Sequence, residues 1–163
     1  MANTAVQKKR LRILIALVLV FIWGNSLMPG PVSGTISETV VEVAKAVVEA
    51  VIGTAPEKPE LPSIFSELFL RKMAHFSEYL VLGLLMARYR LLFAEELWKA
   101  RKPVLFLTTI ALGLAVCFLD ETIQLFVPGR AGMVMDMWID LAGFSVGASI
   151  MTGVMRRKEK QKA

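Results

Sequence analysis

Ionisable side chains in this chain sit inside or against its most apolar stretches, which is where charge is most costly to bury. RKMAHFSEY carries Lys72, His75, Glu78 and Tyr79, and CFLDETIQLF carries Asp120, Glu121 and Gln124. PGRAG holds Arg130, DMWID holds Asp136 and Asp140, and WGNS places Asn25 and Ser26 further upstream. Imidazole titrates near neutrality and a carboxylate can fix its tautomer, so His75 with Glu78, Asp120 or Asp136 has the makings of a general base or nucleophile. The same four are candidate ligands for a divalent cation, and mostly oxygen donors favour Mg, Mn or Ca over zinc. Arg130 with Lys72 suits a phosphate, since Arg contacts its oxygens bidentately. Asn25, Tyr79, Glu121, Gln124 and Asp140 are candidate ligand-binding partners for the same headgroup. Against catalysis, there is a single His, and neither a nucleophile elbow nor a zincin signature occurs. Plain pairing is the competing account. Asp120 or Glu121 with Arg130 would pin a turn, and Glu78 with Lys72 would anchor a helix, yet that leaves acids in surplus.

Helical spacing groups these residues. Lys72, His75 and Tyr79 share a stripe, with Glu78 within reach of His75. Asp120 and Gln124 are one turn apart, as are Asp136 and Asp140. Gly143 and Gly147 continue that last line and would let a neighbouring helix approach closely.

The elements that must hold them are membrane helices. The chain has 163 residues, 55% of them hydrophobic, and its mean hydropathy is +0.57. This predicts one all-α integral membrane domain over 1–163. Four windows can span a bilayer, which takes about 20 mostly apolar residues per helix: about 13–28, 68–93, 103–127 and 136–155. No small-x-small cleavage site follows the first, so it reads as a retained helix and not a signal peptide. The lone Cys117 excludes an internal disulfide and a multi-cysteine zinc site. The net charge of +5 raises nucleic acid as a partner, but the basic residues cluster at segment ends and no binding signature occurs.

Fourteen of the 19 basic residues fall in the amino-terminal arm, in the connection between the second and third spans, and in the carboxy-terminal tail. Both termini are therefore expected in the cytoplasm of a bacterial cell, with the protein multi-pass in its cytoplasmic membrane. The long outer connection contains ISETVVEVAKAVVEAVIG, an amphipathic helix over about 36–52 that would lie on the outer leaflet, over the bundle mouth, or on neighbouring loops. With this topology, polar groups from all four helices fall at one depth, just below the outer surface. Trp23 and Trp138 read as interface-belt aromatics.

RKMAHFSEYLVLG followed by DETIQLFVPGRAGMVMDMWIDLAG resembles the VanZ-like family of bacterial membrane proteins. That family pairs K-x-x-H-x-x-E-Y with D-E-x-x-Q-x-x-x-x-G-R-x-x-x-x-D and a later glycine, and WGNSLMPG resembles its first-helix ending. The resemblance points to Lys72, His75, Glu78, Tyr79, Asp120, Glu121, Gln124, Gly129, Arg130, Asp136 and Gly143. Where many members have Asn, this chain has Asp140, which adds negative charge. The family is associated with resistance to the glycopeptide teicoplanin, which implies a setting at the outer face of the membrane among lipid-linked wall precursors. Three functions stay open: binding of such a lipid or of an anionic headgroup, enzymatic action on it through His75 and the surrounding carboxylates with or without Mg or Mn, and service as a non-catalytic partner subunit.

Overall fold

Four helices make up the regular structure of the described residues, which are 2–29, 67–93, 101–130 and 132–161 of the computed structural model. They are α1 (Ala2–Ser26), α2 (Glu67–Phe93), α3 (Lys102–Gln124) and α4 (Val134–Lys160). The expected amphipathic helix over about 36–52 lies outside the described residues.

Sequence chemistry sets the helix ends. Residues 2–12 are rich in Ala, Gln, Lys, Arg and Leu, all good helix formers, and Pro29 is the first breaker. So α1 starts at Ala2, well ahead of the apolar window expected to begin at 13. Pro sits in the first turn of α3, where its missing N–H goes unmissed. α3 stops at Gln124 instead of running to 127 because Pro128 and Gly129 follow. Gly129 has φ 74°, a left-handed value suited to glycine. Tight turns close there, with Val127 N donating to Gln124 O and Arg130 N to Val127 O, both at 3.1 Å. α4 continues past 155 to Lys160, and Arg157, Lys158 and Lys160 in its last turn complement the negative end of its dipole.

α3 and α4 are long and apolar enough to cross a membrane, with mean hydropathies of 2.0 and 1.3 over their best windows. Only 28% and 33% of those windows are buried, which is unlike the core helix of a water-soluble protein. α1 and α2, at 25 and 27 residues, are as long. Their apolar stretches are interrupted or flanked by charge: Lys8, Lys9, Arg10 and Arg12 in α1, and Arg71, Lys72, Glu78, Arg88 and Arg90 in α2. The outward faces are greasy throughout: Val20 is 68% exposed, Leu107 64%, Phe126 83% and Val134 72%. Apolar surface on this scale belongs against lipid or another protein.

The core is made by Ile22 of α1, Tyr79, Leu82 and Ala87 of α2, Cys117 of α3, and Phe144 and Ala148 of α4. Trp23, near the carboxyl end of α1, is half-buried and packs on this core. Trp138 is 54% exposed.

α4 packs most extensively on α2. Gly143 and Gly147 lie against the backbone of α2, where an added Cβ would collide with the carbonyl oxygens of Phe76 and Leu80. The spacing of these two glycines predicts this close approach. It fixes the register that sets Asp136 and Asp140 of α4 beside Lys72 and His75 of α2. Gly147→Leu is therefore expected to separate the two helices, with a loss of about 1–3 kcal/mol from overpacking. Thermal unfolding in detergent measures this, and an unchanged midpoint would contradict the packing.

Candidate functional site

The end of α1, the start of α2, the end of α3 and the start of α4 meet at one end of the bundle, and nearly every polar residue singled out above is there. Most of them are already committed to holding these helices together.

Four joints can be named. Asn25 Nδ2 of α1 donates to Glu78 Oε1 of α2 at 2.8 Å. Lys72 Nζ of α2 donates to Asp136 Oδ1 of α4, also at 2.8 Å, in an ion pair about a quarter exposed on each side. Arg130 reaches back to the carboxyl end of α1, where Nε donates to Met28 O at 3.1 Å and a terminal nitrogen to Asn25 O at 2.8 Å. It thereby supplies donors to carbonyls that a helix end leaves without partners. Finally, Met133 begins α4 with no side-chain cap of its own, and its N–H donates to Glu121 Oε2 at 2.8 Å. Glu121 thus caps α4 from the neighbouring helix, placing negative charge at the positive end of its dipole. Burial is the main influence lowering the pKa of Arg130 from its ordinary value, and nearby Arg71 adds like-charge repulsion. The guanidinium remains cationic at neutral pH.

A second group is buried with polar atoms to spare. Asp120 is 0% exposed and Asp140 1%. Asp120 Oδ1, both Asp140 oxygens, His75 Nδ1 and Tyr79 Oη are buried and have no hydrogen-bond partner among the described residues. The Ser26 and Tyr79 hydroxyls neighbour Asp120 but fall short of hydrogen-bond geometry. Gln124 Nε2 is shared between Asp120 Oδ2 and Glu121 Oε1, each at a long 3.4 Å. One donor atom each from His75, Asp120 and Asp140 lies within 4.8 Å of the other two.

Beside this group is a cavity of about 170 Å³. His75, Gln124 and Asp140 contribute to its lining, Arg71, Lys72, Glu121, Arg130 and Asp136 add charge, and Gly129, Met133 and Ile139 supply the remaining surface. Its volume is many times the about 10–15 Å³ needed to hold a water, so polar ligands have room.

Among the four candidate cation ligands, the structure brings His75 and Asp120 together. Glu78 and Asp136 each have an oxygen engaged elsewhere, by Asn25 and Lys72, and Asp140 takes the third place. Glu121 and Arg130, read from sequence as ligand contacts, also serve as structural joints. Arg71 was missed as a lining residue. It precedes His75 by four positions, one helical turn along the same face, and that spacing was the available signal.

Residues 11–156 match the family described as VanZ/LLP1. No curated protein and no solved structure matches the chain.

The cap assigned to Glu121 separates charge from hydrogen bonding. Glu121→Gln keeps an acceptor for Met133 N–H and should leave stability nearly unchanged, whereas Glu121→Ala should lose about 1–2 kcal/mol. Unfolding midpoints of the two variants decide it, and equal losses would contradict the cap.

Proposed function

The chain belongs to the VanZ/LLP1 family, and from that membership we propose that it is a four-span protein of the bacterial cytoplasmic membrane which binds a phosphate-bearing amphiphile in the cavity. The observation that carries this reading is that three cations, Arg71, Lys72 and Arg130, line the cavity beside Glu121, Asp136 and Asp140, with apolar outer surfaces on the surrounding helices. A phosphate with a small polar headgroup would occupy the cavity, and its hydrocarbon chains would run along those surfaces. The source of the phosphate is either a lipid-linked wall precursor or an ordinary anionic phospholipid.

The distribution of Lys and Arg supports cytoplasmic termini and a cavity that opens at the outer leaflet. In that position the protein would meet lipid-linked precursors at the surface where teicoplanin acts, which connects this reading to the family's resistance association. Arg71 has the most to offer an incoming anion. Unlike Lys72, which pairs with Asp136, and Arg130, which holds α1, it makes no ion pair among the described residues.

A second reading, conversion of the bound lipid, is favoured by one observation: His75 lies beside two carboxylates at the cavity wall. An imidazole so placed has the proton-transfer chemistry of a general base.

Native mass spectrometry of the purified protein, offered polyprenyl phosphate, phosphatidylglycerol and phosphatidylcholine, tests these readings. The expected result is retention of one or both phosphate-bearing anions in preference to phosphatidylcholine. Arg71→Gln should weaken that retention about tenfold or more, the scale of losing a charged hydrogen bond. A lipid whose mass changes only with wild type would establish the second reading. Equal retention of all three lipids by wild type and variant would overturn the first.

A further inference from the structure

Once the joints are assigned, His75, Asp120 and Asp140 remain clustered without a structural task, two of them on the cavity wall. The geometry points to a divalent-cation site formed by His75, Asp120 and Asp140. The inference does not depend on what lipid is bound.

Spacing is the first argument. One donor atom from each residue lies within 4.8 Å of the others. Hard divalent cations hold oxygen ligands at about 2.0–2.6 Å, so ligands on opposite sides of one ion stand about 4–5 Å apart. The three donors therefore span the diameter of a first coordination shell.

Burial is the second. Asp120 and Asp140 are almost wholly enclosed, and three of their four oxygens find no partner among the described residues. Buried charges in proteins are paired or coordinate metals. The nearby cations do not pair with these two: Lys72 is held by Asp136, Arg130 by the carbonyls of α1, and Arg71 makes no ion pair among the described residues.

The donor set supports a choice of metal. One imidazole and two carboxylates, mostly oxygen, favour Mn, Mg or Ca over zinc. Gln124 Nε2 reaches the second oxygen of Asp120, leaving Oδ1 for the ion in the manner of an outer-shell partner that orients a ligand. His75 and Asp140 line the cavity, so an ion has a route in and retains open positions for water or a phosphate oxygen.

Mn2+ alone, added to the EDTA-treated full-length protein in detergent, is the direct probe. Loss of the free-ion electron paramagnetic resonance signal should show a single Mn2+ bound per chain. His75→Gln and Asp140→Asn should each weaken it at least about tenfold. Pulsed spectra of the wild type should show coupling to an imidazole nitrogen, a readout that survives if either variant fails to fold. Absence of saturable binding would overturn the site, as would Mn2+ bound without nitrogen coupling. Because no lipid is present, either failure leaves the phosphate-binding reading to stand or fall on Arg71→Gln.

Discussion

Buried charge is the constraint on which this structure turns. In an apolar bundle every carboxylate, guanidinium and helix terminus needs a partner, and here helix ends and side chains partner one another. Glu121 caps α4 from α3, Arg130 caps α1 from the loop before α4, and Asn25 and Lys72 tie α1 and α4 to α2. Each bond joins two different elements, so one set of polar contacts fixes all four helices at a single end. The glycines of α4 then hold the α2–α4 pair close enough for the register to be unique.

That arrangement separates structural polarity from functional polarity. Glu78, Glu121, Asp136 and Arg130 have tasks that explain their presence. His75, Asp120 and Asp140 do not; they cluster with His75 and Asp140 on the cavity wall, and each retains a polar atom with no partner among the described residues. A protein keeps such an arrangement at a cost in stability when the site is used. Asp140 joins the cluster directly.

Much of this was legible in the sequence. Apolar windows located the helices, and the expected meeting of polar groups from all four is found at one end of the bundle. The Gly143–Gly147 spacing announced the close helix pair. Side-chain direction was not legible. Helical spacing says that Glu78 can reach His75, but it cannot say that Asn25 engages one of its oxygens first. For the same reason the sequence does not show that Lys72, on another helix, pairs with one oxygen of Asp136. The start of α1 was hidden because residues 2–12 are polar enough to look like a tail while being good helix formers.

The most direct test of this division compares the thermal stability of EDTA-treated protein carrying Asp140→Asn with that carrying Arg130→Met. A carboxylate held for function is a burden on the metal-free fold, so Asp140→Asn should leave the unfolding midpoint unchanged or raise it. Arg130→Met should lower it by removing two bonds to α1. If Asp140→Asn instead unfolds the protein while Arg130→Met is tolerated, the roles assigned to the two groups are reversed and the account is wrong.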